Sequence, residues 1–226
     1  MTSPIWLFFD LDETLYDETE FRISGHKAVS TWLDIHGILS REVSLTSLST
    51  IVKDRGWAYG KIFDDLVRIH KLPESLVPTL VNVYRSHPPQ INLYRDFVTF
   101  ANSGRWEYTF GLITEGLGYI QRNKIKALGL SRWIDPSRWI ITGELAPGSS
   151  KSQALPFTTA AILASGDGGR CVYVGDNPET DFDQPCRLGW VTLRLMRGMN
   201  SRKPGNAYIA ETVKDFLSLE AVLRTL

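Results

Sequence analysis

Asp10 and Asp12 stand one residue apart directly behind five consecutive apolar residues, Ile5 to Phe9. A run of that length and aromatic content predicts a strand buried on both faces, as in a parallel sheet. Two acids at the end of such a strand require a partner, because unpaired charge removed from water costs several kcal/mol or more. Phosphoryl-transfer sites that form an aspartyl phosphate have this requirement: one Asp attacks phosphorus, a second moves the proton, and a divalent cation offsets the crowded negative charge. The structural alternative is that Asp10, Asp12 and Thr14 end the strand and cap the next element.

Other polar residues collect where further apolar runs end. Thr114-Glu115-Gly116 follows the run Tyr108 to Ile113, and Asp176 and Asp181 follow the run Cys171 to Val174 and Gly175. Lys151 lies among Gly148, Ser149 and Ser150, just before a helical pattern. In an open parallel sheet, ligands bind outside the carboxyl ends of the strands. Two groups of acids would there converge on a metal, while a hydroxyl and an ammonium would converge on an anion. Hard oxygen donors, with no imidazole or thiolate among them, suit magnesium.

Positioning these groups falls to strands and helices in alternation. Behind the first strand the period becomes helical, with Phe21, Ala28, Trp32 and Ile35 on one face up to Gly37, after a capping pair Asp17 and Glu20. Further helices are expected over Leu45–Val52, Tyr59–Val67 and Leu76–Tyr84, before Pro88-Pro89 breaks the chain. Residues 16–87 thus read as a small helical bundle inserted after the first strand.

Beyond it, helices are expected around Phe97–Asn102, Tyr119–Leu128 and Ser152–Leu163. Turns fall at Ser103-Gly104 and at Ser165-Gly166-Asp167-Gly168-Gly169, and strands at Tyr108–Ile113, Trp139–Thr142, Cys171–Val174 and Trp190–Leu195. The pattern predicts an α/β fold, a Rossmann-like parallel sheet covered by helices on both faces. The basic stretch from Arg197 to Asn206 reads as a solvated loop.

Composition narrows the partners. Lys plus Arg equals Asp plus Glu at 25 each in 226 residues, so no net field favours nucleic acid or an acidic membrane surface. Cys171 and Cys186 lack metal-ligand spacing and read as small buried apolar residues in a reducing compartment. No apolar run approaches the ~20 residues that a membrane span requires. Only four residues precede the first strand, none of them basic beyond the amino terminus, so no signal peptide is expected and the reading is cytoplasmic.

On its motifs the chain resembles the haloacid dehalogenase superfamily, in the phosphatase branch with an inserted helical cap. Asp10-Leu11-Asp12-Glu13-Thr14 fits the first motif, Asp-x-Asp-x-Thr; Thr114 ends the second; Lys151 fits the third; and Gly175-Asp176-Asn177-Pro178-Glu179-Thr180-Asp181 fits the fourth. The resemblance implies an α/β core of residues 1–15 and 88–226 and a cap of residues 16–87. It implies that Asp10 is the nucleophile, that Asp12 is the general acid and then base, and that Lys151 stabilises the transition state.

Thr114 and the backbone N–H groups of Glu115 and Gly116 would hold the phosphoryl oxygens. Asp10, the main-chain carbonyl of Asp12, and Asp176 would hold magnesium, with Thr14 and Asp181 in support. The implied substrate is a small phosphorylated metabolite, acted on by a monomer or homodimer.

Three positions depart from the family pattern. Glu115 stands where Asn or Asp is common, Ser152 where Pro usually follows the Lys, and Glu13 where Asp, Gly or Asn is usual. Asp12 and the acidic fourth motif argue against carbon–halogen chemistry. A phosphomutase would use the same residues and differ in how water is excluded. A phospho-accepting signalling domain would need neither Asp12 nor the insertion. Trp57, Tyr59 and Lys61 are the candidates for reading the leaving group, and His26, His36, His70 and His87 read as packing or surface residues.

Overall fold

The structure is a computed structural model that describes residues 4–103, 108–166 and 168–225; of the expected turn residues, Gly104 and Asp167 lie outside these. The chain divides into two compact units, Met1–Glu18 with Ile91–Leu226, and Thr19–Gln90.

The larger unit is built on a parallel sheet of six strands: β1 (Ile5–Phe9), β2 (Tyr108–Thr114), β3 (Trp139–Ile141), β4 (Arg170–Gly175), β5 (Val191–Leu195) and β6 (Glu211–Val213). Their spatial order is β3-β2-β1-β4-β5-β6, so β1 lies between β2 and β4. This position explains the apolar run, since a central strand has no face toward water. Alternate side chains go to opposite faces. Trp6 and Phe8 stack at 5.8 Å, and Phe8 stacks on Trp190 at 5.3 Å. On the other face, Phe9 meets Phe97 of the Arg95–Asn102 helix at 5.7 Å and Phe216 of the Phe216–Leu223 helix at 5.9 Å. Burying each of these rings stabilises the unit by roughly 1.5–3 kcal/mol.

The strand order reverses between β1 and β4, and crevices at such a point bind ligands beyond the strand ends. Asp10 and Asp176 are the residues that follow these two strands. The Asp10 N–H donates to the Val174 carbonyl at 2.9 Å, which extends the pairing to the site itself.

Three local outcomes differ from expectation. Thr142 opens a short helix, Thr142–Leu145, instead of ending β3. The helix expected from Ser152 begins at Leu155, with Pro156 in its first turn where its missing N–H costs nothing. β6 and the Phe216–Leu223 helix were not anticipated, because a three-residue strand is too short to show an alternating pattern.

The smaller unit holds most of the Glu18–Ile35 helix and all of Arg41–Arg55, Ile62–Ile69 and Val77–Ser86. Their apolar faces meet around Val29, Leu33, Leu48, Ile51, Phe63 and Leu66. On the first helix the buried stripe runs through Phe21, Gly25, Val29 and Leu33, while Ile35 is 76% exposed. It is therefore rotated from the face that the spacing suggested. Among the described residues, no helix is long and apolar enough to cross a membrane.

Candidate active site

Three carboxylates meet beyond the ends of β1 and β4. Ligand oxygens of Asp10, Asp176 and Asp181 lie within 4.8 Å of one another, and all three residues are buried. The Lys151 Nζ stands between two of them, 2.7 Å from Asp10 Oδ1 and 2.7 Å from Asp181 Oδ1. Burial opposes the Lys151 charge, but Asp10 and Asp181 hold its pKa well above the ordinary value.

Burial drives Asp10 well above the usual carboxylate range; Lys151 counteracts this, while Asp181, Asp176 and Asp12 add to it. Asp176 is pushed up to about 7 by burial and then by Asp181. One ammonium, in contact with two of three clustered acids, leaves surplus negative charge. Buried carboxylates with only oxygen donors, crowded enough to resist ionisation, fit a hard divalent cation.

Asp181 is largely committed to the protein. Its Oδ2 accepts the Asp176 and Asn177 N–H groups at 3.1 and 2.9 Å, and its Oδ1 accepts Lys151. This close approach needs Gly175: a Cβ there would lie 2.4 Å from Asp181 Oδ2. Asp10 and Asp176 are thus the carboxylates with acceptor capacity to spare.

Asp12 faces different neighbours. Lys124 Nζ lies 2.7 Å from its Oδ1, the Tyr16 hydroxyl donates to the same oxygen, and Gln121 Nε2 donates to Oδ2 at 2.9 Å. Burial pushes the Asp12 pKa up, but Lys124 and the hydrogen bonds from Lys124, Tyr16 and Gln121 bring it below its ordinary value.

The second motif is tied into both groups. Thr114 is fully buried, and its Oγ1 accepts from Gln121 Nε2 at 2.5 Å. The Glu115 side chain accepts the Lys151 backbone N–H at 2.7 Å, so this departure from the family pattern anchors the lysine loop. The Gly116 N–H already donates to Thr142 Oγ1 at 3.1 Å, because the short helix brings that hydroxyl beneath it. It is therefore engaged within the protein in this structure. The Thr14 hydroxyl is buried and has no hydrogen-bond partner among the described residues. Glu13 is buried at φ 58°, against Gly198, where a Cβ would fall 1.5 Å from its Oε2.

No protein-family model matches the chain. It is 29% identical to the glyceraldehyde 3-phosphate phosphatase of Methanocaldococcus jannaschii, over 97% of each chain. It is 28% identical to the enzyme of the same name from Methanopyrus kandleri, over 85% of this chain and 84% of that one. Among solved structures it resembles YfnB, a candidate HAD hydrolase of Bacillus subtilis in a magnesium-bound form, with a TM-score of 0.65 at 14% identity over 99% and 100% of the two chains. A HAD phosphatase from Thermococcus onnurineus matches with a TM-score of 0.59 at 18% identity over 98% of each. The chain has the fold of these haloacid dehalogenase-like hydrolases. The named relatives, over nearly the whole chain, support a phosphoric monoester hydrolase.

Several residues of the site were not singled out in the sequence. Gln121 and Lys124 had a readable signal: they lie three apart on the buried face of the Gly118–Ala127 helix, beside Ile125, where apolar residues are expected. Asn200 had none. It lies in the stretch read as a solvated loop, yet its Nδ2 donates to Asp176 Oδ2 at 2.8 Å. Buried Arg194 holds that loop in place, donating to the carbonyls of Asp176, Asn200 and Lys203.

In the smaller unit, Trp57 and Tyr59 line a pocket with Arg22, His26, Tyr84 and Arg85, whereas Lys61 does not line it. His26 is packed among Trp57, Phe63 and Tyr84, and burial followed by the charge of Arg22 lowers its pKa to about 4. Cys171 and Cys186 are both free thiols.

Proposed function

We propose that this hydrolase is a magnesium-dependent phosphatase that acts on a small phosphomonoester through an aspartyl phosphate on Asp10. The observation that carries the reading is Lys151, held 2.7 Å from both Asp10 and Asp181 within a buried cluster of three carboxylates. An Asp10 oxygen attacks phosphorus, and Asp12, which takes up its proton in the substrate complex where the bound phosphate offsets Lys124, gives that proton to the departing alkoxide as the ester P–O bond breaks. Water then attacks the phosphorus of the acyl phosphate and gives a proton to Asp12, releasing inorganic phosphate and the Asp10 carboxylate. Lys151 and the Thr114 hydroxyl, with the Glu115 backbone N–H, stabilise the charge on the phosphoryl oxygens. Asp10, the Asp12 carbonyl and Asp176 would hold magnesium, which supplies charge neutralisation for the approach of an anionic substrate to anionic groups.

The helical insertion, residues 16–87, is assigned the role of the cap that selects the leaving group. Trp57 and Tyr59 are its candidate contacts. The named relatives make glyceraldehyde 3-phosphate the first compound to try, followed by a panel of phosphorylated sugars, nucleotides and short acids.

The decisive assay is hydrolysis of p-nitrophenyl phosphate with and without magnesium, alongside Asp10→Asn. Turnover is expected to require the metal and to vanish in the variant. Undiminished turnover by Asp10→Asn would remove Asp10 as the nucleophile.

A further inference from the structure

Lys124 and Gln121 are polar residues with buried side chains on one helix face, and neither belongs to the four motifs. Burying a lysine is costly unless a specific partner compensates it. The partner here is Asp12, through the 2.7 Å contact of Nζ with Oδ1.

Each carboxylate oxygen has two acceptor directions. Both are taken at Oδ1, by Lys124 Nζ and the Tyr16 hydroxyl. Among the described residues, Oδ2 accepts only from Gln121 Nε2, at 2.9 Å. That same amide nitrogen also reaches Thr114 Oγ1 at 2.5 Å and the Glu115 carbonyl at 3.0 Å. Two amide hydrogens are therefore shared among three acceptors, which leaves Oδ2 the less engaged oxygen. The Asp12 side chain also retains 22% exposure, while that of Lys124 has 5%.

We propose that Lys124 and Gln121 are positioning residues that lock the Asp12 carboxylate so that Oδ2 is the oxygen that delivers and later receives the catalytic proton. The inference rests on the reading of Asp12 as general acid and base. In the first half-reaction the Oδ2–H bond breaks, and the proton joins the leaving oxygen as its bond to phosphorus breaks. In the second, the attacking water loses a proton to Oδ2. Lys124 and Tyr16 keep Oδ1 out of both transfers. Through its contact with Thr114, Gln121 also fixes the proton donor relative to the phosphate-binding hydroxyl.

The test compares kcat/KM for p-nitrophenyl phosphate, whose leaving group departs without help, with kcat/KM for phenyl phosphate, whose leaving group needs the proton. Lys124→Met should lower the phenyl value by about a hundredfold and the p-nitrophenyl value by less than about tenfold, within the usual range of general acid catalysis. Gln121→Met should show the same asymmetry on a smaller scale, Asp12→Asn should reproduce it, and Lys124→Arg should restore most of the phenyl phosphate activity. Equal losses on the two esters in Lys124→Met would overturn the positioning role. If circular dichroism shows that variant unfolded, equal losses in Gln121→Met would do so. Wild-type rates for Asp10→Asn on either ester would overturn the phosphatase mechanism itself, a result separate from the other two.

Discussion

Asp10 and Asp12 are separated by one residue, yet the protein surrounds them in opposite ways. On the Asp10 side, beyond β1 and β4, three buried acids cluster around one lysine that contacts two of them. On the Asp12 side, a single acid meets one lysine and two neutral donors. The first group has surplus negative charge and the second is balanced, so the carboxyl pKa values move apart, with Asp10 and Asp176 raised and Asp12 lowered. The difference teaches that the two neighbourhoods suit two tasks: one fits the proposed cation and nucleophile, the other holds one carboxylate in one orientation.

Removing the lysine on the surplus side should have the largest effect. Lys151→Met leaves Asp10 and Asp181 facing each other without a cation. Breaking a buried pair of this kind is expected to cost about 3–5 kcal/mol in the metal-free protein, read by urea unfolding. Turnover of p-nitrophenyl phosphate should fall by about a hundred- to a thousandfold. A loss below about 1 kcal/mol would mean that the surplus charge is relieved in some other way.

A smaller effect separates the two sides by pH. Asp176 titrates at about 7 when folded, well above its ordinary value. Between these two values the folded state keeps a proton that the unfolded chain has lost. The metal-free protein therefore loses stability as pH rises toward 7, with a slope of up to about 1.4 kcal/mol per pH unit for each such group. Asp12 has the opposite sign: its contribution is present above its unfolded pKa and lost as pH falls through the depressed folded value. Thermal melts of Asp176→Asn between pH 4 and pH 8 should be flatter than those of the wild type, and magnesium should raise the wild-type midpoint most at the alkaline end. A wild-type curve as flat as that of the variant would contradict the assignment.

The smallest expected change concerns the loop beside the acids. Asn200→Ala removes the amide that orients Asp176 Oδ2. Residues that orient a metal ligand typically contribute about tenfold or more to affinity. Magnesium titration of activity should show a rise of that size in the half-saturating concentration, with kcat at saturation little changed. An unchanged titration would confine Asn200 to holding the loop.

Much of the core was legible in the sequence because its signals are local. The run Ile5 to Phe9 reads as a central strand, the acids and Thr114 are marked by where apolar runs end, and Lys151 by a Gly/Ser loop before a helical pattern. Other features had no local signal. β6 has three residues, too few to show a period, and the buried stripe of the first inserted helix depends on which helices pack against it. Gln121 and Lys124 differ again. Their spacing was visible, but a helix of lysines and an arginine reads as a solvated surface until something buries one face of it.

The sequence by itself pointed to the proposed chemistry, because few other tasks would gather Asp10, Asp12 and Asp176 at strand ends with Lys151 in a loop nearby. It also determined the α/β architecture, through apolar periodicity that depends only on neighbours along the chain. Tertiary structure alone decided which charges face which. Asp10 and Asp12 lie close together in sequence, but Lys151 reaches one and Lys124 the other from helices and loops more than a hundred residues away. Local sequence carries no record of such distances, because electrostatic partners are set by the pairing order of β2, β1 and β4. That pairing order divides the neighbours of two aspartates one residue apart.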